Sequence, residues 1–558
     1  MIGPARPSAG AAIRTVTANP ALRRIEIAWM VGMAGDAAFT VALLVAAFGF
    51  GGPVAVGVLT VVRMAPSIVG APLAGLLAGR RPPTRLLFVA HLVRAGGAVV
   101  ATTGIAAGTP LVVLGGAVVA ASAGAFVRPL QGAAMPTMAR SPDELVAANV
   151  VSGSGEGVGS FGGPLIAGIL LGLAGPVAAA AAATGGFLAA AAVLARRTTT
   201  ADDDAEHEAE RRGRAAGRLT VGAIATELTA GLRSLGRHHG AATIMTDLAG
   251  QVFVRGLLTS LLVVTAIHLV GLGEPGVGLL AAANGLGTLI GAVVAVRLAG
   301  SRALGPTFAV SLSFWGLPIA VIAAVPHPAV AIVALVVSGV ANGVLDVAGF
   351  TLLQRCVPRA ERMAVFGLLE AIVALGLAAG AAVAPLLIDA FGDRAALAIA
   401  GAILPILAVG SWARLRRVDE EAVIPDRQLR LLRGVPLFAP LPLTALERLA
   451  EALVPVRHPS GATILRQGDP GRDYFLIESG EVDISVDGRP IVRSGPGDGF
   501  GEIALVQDVP RTAGVVARTD VALEVLSSAD FLAAVAGPTS AAAAAAVIDE
   551  RLARSAVV

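Results

Sequence analysis

Lysine is absent from this 558-residue chain, so all 42 basic residues are arginine, an imbalance that a coding bias also favouring Ala, Gly and Val explains. Cysteine occurs once, as Cys356, which excludes an internal disulfide framework and a cysteine-based zinc site. Three tryptophans and one tyrosine offer little for aromatic recognition. Charge is scarce too: 15% of the residues are charged, against about 25% in soluble domains. No catalytic triad, nucleotide-hydrolysing loop or metal cluster appears, so nothing marks an enzyme. Residues 1–20 lack the compact apolar core of a cleavable signal peptide. What is abundant is apolar: 55% of residues are hydrophobic and the mean hydropathy is +0.78, which excludes one ordinary soluble globule.

The small net charge of +3 is unevenly divided. Residues 1–417 carry 29 bases and 19 acids, net +10, whereas residues 418–558 carry 13 bases and 20 acids, net −7. The front suits lipid and the tail suits water. Residues 22–417 divide into about twelve apolar runs of bilayer-spanning length, beginning near Ile25, Val54, Leu86, Leu111, Leu145, Val177, Ala242, Val277, Leu304, Ala329, Met363 and Ala396. The connections alternate in character. Those at residues 49–53, 107–110, 173–176, 271–275, 326–328 and 389–394 are short and poor in arginine, while those between them carry clusters such as Arg80, Arg81 and Arg85, or Arg355, Arg359 and Arg362. By the positive-inside rule the chain is expected to be a multi-pass protein of the inner (plasma) membrane, with both termini in the cytoplasm. The positive charge is a topology signal, not a nucleic-acid footprint.

The expected organisation is a cytoplasmic segment at 1–21, a six-helix half at 22–197, a linker with an amphipathic helix at 198–240, a second half at 241–417, a short linker at 418–428 and a soluble domain at 429–558. The central linker holds the run Asp202, Asp203, Asp204, Glu206, Glu208 and Glu210, then a helix whose face combines Leu228, Leu232 and Leu235 with Arg233 and Arg237, as suits a cytoplasmic interface. The halves repeat weakly: Val56-Gly57 aligns with Val277-Gly278 at an offset of 221, and Glu156 with Glu370 at 214. Repeated halves of this kind occur in secondary transporters, with substrate bound between them at the bilayer midplane.

Charges inside the apolar runs are expensive and mark function by default. Asp36 lies in the first run and Arg128 in the fourth; at equivalent places in the second half stand Arg255 and Asp346, with signs exchanged. The expectation is that Asp36 faces Arg128 and Asp346 faces Arg255 across a central cavity. Protonating such an acid frees its base and biases two access states; a static pair that orients helices is the alternative. Arg63 and Glu156 are also embedded, whereas His91 and Arg94 are expected near the cytoplasmic interface.

The run Phe126-Val127-Arg128-Pro129-Leu130-Gln131-Gly132-Ala133-Ala134 resembles the fourth-helix motif of the major facilitator superfamily. Gly159-Ser160-Phe161-Gly162-Gly163-Pro164 up to Gly168 resembles the fifth-helix signature of its proton-driven exporters, and Asp36 followed by Ala42-Leu43 their first-helix motif. Residues 75–81 resemble the loop motif after the second helix, with Gly79 where the family carries Asp. The resemblance implies proton-coupled efflux of a small molecule, with Asp36, Arg63, Arg128, Gln131, Glu156, Arg255, Asp346 and Glu370 as candidates for transport and proton coupling.

From Leu429 the periods become soluble ones. Leu429, Leu432 and Val435, then Leu446, Leu449 and Leu453, mark short amphipathic helices. Short strands are expected at 462–466, 474–478, 482–486, 490–493, 513–517 and 522–527, punctuated by glycines into a small barrel or roll. Within it, Phe500-Gly501-Glu502-Ile503-Ala504 precedes Arg511-Thr512-Ala513. Gly501 lets backbone approach a ligand closely, free N–H groups at the start of the Glu502 helix suit an anion, and the Arg511 guanidinium offers a fork for phosphate oxygens. Glu502 suits a ribose hydroxyl. This segment resembles the phosphate-binding cassette of cyclic nucleotide-binding domains. The resemblance implies cAMP or cGMP as ligand, with Glu502 on the ribose, Arg511 on the cyclic phosphate, and a final lid helix carrying Ile548 and Leu552. Because the sequence ends at Val558, no helix-turn-helix and hence no transcription factor is expected.

The fold class expected is thus multi-domain: an all-α polytopic membrane part joined to a cytoplasmic α+β roll. The expected function is secondary transport regulated by cyclic nucleotide, with lipid bilayer, small-molecule substrate and protons as further partners, and no nucleic acid, metal or cofactor. The sequence sets no oligomeric state. The alternatives are a membrane-anchored nucleotide receptor without transport, and a transporter whose tail is only a structural module.

Overall fold

The computed structural model describes residues 9–78, 81–140, 142–195, 221–298, 303–421, 426–439, 441, 443–507 and 509–535. The acidic run at 202–210, the Gly79-Arg80 step and the lid residues Ile548 and Leu552 lie outside the described residues. Two compact units result, Ala9–Ala422 and Val423–Val558.

The first unit is all-helical. Its helices are α1 (Ala9–Ala18), α2 (Pro20–Ala78), α3 (Pro83–Ala106), α4 (Pro110–Met138), α5 (Pro142–Ala195), α6 (Val221–Arg237), α7 (His239–Val264), α8 (Gly273–Leu298), α9 (Leu304–Ala324), α10 (Pro328–Cys356) and α11 (Arg359–Glu421). A π-turn, Thr265–Leu269, extends α7. Among the described residues nine helices are long and apolar enough to cross a membrane, and three of these apolar spans reach 47, 49 and 58 residues. At about 1.5 Å per residue each is more than twice the ~30 Å of a hydrocarbon core. Each is broken at glycine: α2 at Gly51 and Gly52, α5 at Gly175, α11 at Gly392. Gly52, Gly175 and Gly392 adopt φ values of 60°, 77° and 77°, a region glycine enters without steric cost. The breaks fall in three of the arginine-poor connections, and dividing the long helices there gives twelve apolar segments among the described residues.

Helix contact is made through small residues. A Cβ on Gly287 of α8 would stand 2.1 Å from the Val336 carbonyl of α10, and one on Gly278 of α8 would stand 2.4 Å from Cα of Gly168 in α5. Lipid tails are as apolar as leucine, so close packing of backbones supplies the attraction that the hydrophobic effect supplies in water. Fully buried Phe39, Phe187 and Phe308 fill the wider gaps.

The second unit begins with α12 (Asp426–Gly434) and α13 (Leu443–Ala452) and continues as a roll of eight strands: β1 (Val454–His458), β2 (Thr463–Leu465), β3 (Asp473–Ser479), β4 (Val482–Val486), β5 (Arg489–Ser494), β6 (Gly499–Phe500), β7 (Gly514–Ala517) and β8 (Val521–Ser527). The short α14 (Glu502–Val506) follows β6, and α15 (Ser528–Val535) follows β8. Two antiparallel four-stranded sheets form, in the orders β1-β8-β3-β6 and β2-β7-β4-β5. Ile477, Val482, Phe500, Val515 and Leu523 fill the space within the roll. Leu432, Phe438, Leu449, Tyr474, Leu505 and Phe531 form a second core that joins the helices to it.

The six strands expected from the sequence are present to within about a residue at most ends, and β1 and β6 are additions. β1 contains Pro455 and shows mostly exposed side chains. It pairs with β8 alone, at the edge of its sheet, where a missing N–H is tolerated. β6 is two residues long, too short to show a period.

Candidate functional site

The roll builds its site from three adjoining pieces. Phe500 at the end of β6 is buried and stacks on Phe475 of β3, with ring centroids 5.2 Å apart and planes 5° from parallel. Gly501 then takes φ 97° as the N-cap of α14. A Cβ there would meet Arg511 Nη1 at 2.7 Å, so this residue must be glycine for both conformational and spatial reasons. Glu502 is buried at the first position of α14, and Ala504 and Leu505 are buried behind it; Ile503 is half-buried.

Arg511 arrives from the loop before β7 and is also buried. Its Nη1 donates to the Gly501 carbonyl at 3.0 Å and its Nη2 to the Asp473 carbonyl at 2.8 Å. Its own backbone N–H donates to the Asp469 carbonyl, and its carbonyl accepts from Gly468 N–H, both at 2.8 Å. Burial lowers the Arg511 pKa, and the carboxylates of Asp473 and Glu502 act against that shift. The result is a cation held by backbone dipoles beside a sharp glycine turn, the donor geometry that suits an anion with several oxygens. Thr512 and Ala513 continue the same loop, both half-buried.

A second polar cluster in the roll was not read from the sequence. Glu524 of β8 is buried, and Gln428 Nε2 of α12 donates to its Oε1 at 3.1 Å. Arg427 of α12 pairs with Glu478 of β3. These charges fall at unremarkable surface-like positions in the chain, and only strand pairing brings them together.

In the helical unit the charged residues form three groups. Arg94, expected near an interface, is buried on α3 and forms an ion pair with Asp36 of α2. Its guanidinium carbon lies 4.2 Å from the Phe187 ring centre. Thr40 donates to the Asp36 carbonyl at 2.8 Å and accepts from Arg63 Nη1 and Nη2 at 3.2 and 3.3 Å. The expected pairing of Asp36 with Arg128 is therefore corrected. Sequence position gives depth along a helix but not which neighbour a side chain meets, and here Asp36 turns toward α3. His91 is buried on α3 as well.

Arg128 instead donates to Glu156 of α5 at 2.5 Å and lies over Trp29, 5.5 Å from its ring centre. Gln131, one turn further along α4, donates to Ser152 Oγ at 3.2 Å. In the second half Arg255 Nη2 donates to Asn342 Oδ1 at 2.7 Å, Asn342 Nδ2 donates to Asp346 at 3.2 Å, and Arg255 and Asp346 stand 4.0 Å apart. Asn342 was missed, although its place four residues before Asp346 puts both on one helix face. Glu156 lies close enough to Asp346 to interact with it electrostatically, which brings groups from both halves together. Glu370 is exposed on α11, with no ion-pair partner among the described residues.

Residues 248–459 match the Major Facilitator Superfamily, and residues 455–537 match the Cyclic nucleotide-binding domain family. The chain carries a Major Facilitator Superfamily domain and, after it, a cyclic nucleotide-binding domain. With the nine long apolar helices among the described residues, the domain match indicates a multi-pass membrane protein. Among curated relatives, a cAMP-dependent protein kinase regulatory subunit of Colletotrichum orbiculare is 40% identical over 120 residues, which is 21% of this chain and 31% of that protein. A cyclic nucleotide-gated potassium channel of Rhizobium etli is 40% identical over 126 residues, 23% of this chain and 34% of that protein. The chain thus spans about a third of the length of these relatives. Among solved structures, the regulatory domain of Toxoplasma gondii PKA with cAMP is 32% identical, covering 19% of this chain and 43% of that one, with a TM-score of 0.19.

Proposed function

We propose that the protein is a proton-coupled exporter of a small molecule in the plasma membrane, and that cAMP or cGMP bound to its cytoplasmic tail adjusts transport. The observation that carries the regulatory part is the buried Arg511 guanidinium, placed on the carbonyls of Gly501 and Asp473 beside the Gly501-Glu502 turn. In this reading Arg511 meets the cyclic phosphate, Glu502 accepts from the ribose, Phe500, Ile503, Ala504, Thr512 and Ala513 line the pocket, and Ile548 and Leu552 belong to the lid. The names of the kinase and channel relatives support a cyclic nucleotide as ligand.

The transport part rests on the paired charges. Asp36 with Arg94, Arg128 with Glu156, and Arg255 with Asn342 and Asp346 are acids beside bases within membrane-spanning helices. Protonating the acid of such a pair releases its base, so proton binding changes the pattern of charge that the substrate meets. For the nucleotide to regulate, it must favour one transport state, an effect of typically 1 to 3 kcal/mol.

The test is binding of labelled cAMP to the purified full chain, with cGMP as competitor, and a transport screen in proteoliposomes bearing a proton gradient, with and without nucleotide. Loss of binding in Arg511→Ala and Glu502→Ala is expected; undiminished binding in both removes the site. Transport that ignores the gradient removes proton coupling, and transport that ignores saturating nucleotide removes regulation.

A further inference from the structure

Two buried acids take no part in the ion pairs described above, and they stand at equivalent places in the two halves. Glu26 lies on α2 and Asp247 on α7, 221 residues apart, the offset that also relates Val56-Gly57 to Val277-Gly278. They occupy the first turns of the first membrane helix of each half. Glu26 is 5% exposed and Asp247 2%. Neither has an ion-pair partner within 4 Å among the described residues.

Each carboxyl has one buried oxygen left over, and in Glu26 the other is served by a serine. Ser152 Oγ of α5 donates to Glu26 Oε1 at 2.6 Å, while the same hydroxyl accepts from Gln131 Nε2. Glu26 Oε2 is buried without a hydrogen-bond partner, and so is Gln131 Oε1, on a side chain that lies against the same carboxyl. In the second half Asp247 Oδ2 is likewise buried without a partner, and the nearby Ser411 of α11 donates to the Ala408 carbonyl at 3.5 Å.

An ionised carboxylate is acceptor-only, and burying it with one oxygen unserved is costly. One added proton changes this. Protonated on Oε2, Glu26 turns an orphaned acceptor into a donor. The same step at Asp247 converts Oδ2 from an orphaned acceptor to a donor.

We propose that Glu26 and Asp247 are a repeat-related pair of proton-binding sites, one in each half, that carry the protons coupled to transport. The proposal rests on the proton-coupled reading above and adds to it the residues that hold the protons apart from the substrate-facing ion pairs. The charged and titratable groups on the helices packed against α2 here are His91 and Arg94 on α3, Arg128 on α4, and Glu144 and Glu156 on α5. Arg94 and Arg128 are engaged by Asp36 and Glu156, so neither neutralises Glu26. Of the charged groups on the helices packed against α7, Arg414 on α11 acts on Asp247.

The test is infrared titration of the purified full chain in lipid, following the carbonyl stretch of protonated carboxylic acids as pH is raised through the neutral range. The expected result is a band that disappears on raising the pH, is reduced in Glu26→Gln and in Asp247→Asn, and is largely lost in the double variant, while Asp36→Asn retains it. With Glu524→Gln present throughout to remove its own carbonyl band, a band that survives the double variant, or a starting band insensitive to pH, overturns the proposal. Glu26→Asp keeps the acid should the amide variant fold poorly, and must shift the band rather than remove it. The band needs no substrate, so gradient-independent transport with an intact titrating band would remove coupling while keeping the sites.

Discussion

Arg94 and Asp36 form an ion pair in which the base is buried and the acid half open, the side chains being 3% and 42% exposed. The acid is thus reachable by protons or substrate while the base is not, and the charge of Arg94 depends on Asp36 for its partner.

Asp36→Asn leaves that buried guanidinium uncompensated. A loss on the order of 3 kcal/mol in stability is expected, read as a lower unfolding temperature in detergent, together with loss of gradient-driven transport. Asp36→Glu keeps the charge and should retain more of both. Equal behaviour of the two variants would show that the negative charge at this position is immaterial.

Arg511→Ala removes two donors from the Gly501 and Asp473 carbonyls as well as the phosphate partner. Nucleotide affinity should fall by about 30-fold or more, since truncating a buried charged partner costs about 2 to 5 kcal/mol. Arg511→Lys should recover little, because one ammonium cannot reproduce the planar fork. Titration calorimetry on the full chain measures both.

Gly501→Ala forces a Cβ onto a backbone at φ 97° and to within 2.7 Å of Arg511 Nη1. The expected cost is about 1 to 3 kcal/mol, with weaker nucleotide binding because Arg511 must move. Unchanged affinity would show that the turn has room the geometry denies.

Glu524 provides a pH test outside the membrane. Burial, reinforced by Glu478, raises its pKa above the ordinary 4.5, against the pull of the Gln428 hydrogen bond. For an acid whose folded pKa lies above its unfolded one, the stabilising contribution is complete below the unfolded value and is lost as pH rises through the folded value. The roll should therefore gain stability on acidification from neutral pH toward the carboxylate range. Glu524→Gln should stabilise it at neutral pH and flatten that dependence, as measured by thermal unfolding of a fragment spanning 423–558. A variant less stable than wild type at neutral pH would contradict this.

The sequence by itself determined the division into a lipid-facing and a water-facing part, because hydropathy and arginine placement are summed along the chain and need no partner. It also placed the three glycine breaks in α2, α5 and α11, most strands of the roll, and the Gly501, Glu502 and Arg511 set, since left-handed backbone and a charged residue in a glycine turn are local requirements. Tertiary structure alone decided who meets whom. Asp36 meets Arg94 rather than Arg128 because azimuth around a packed helix is set by its neighbours. Glu26 and Asp247 became visible only when helix packing buried them, and Glu524 only when β8 was paired. Burial and partnership depend on residues a hundred or more positions away, and no local pattern encodes them.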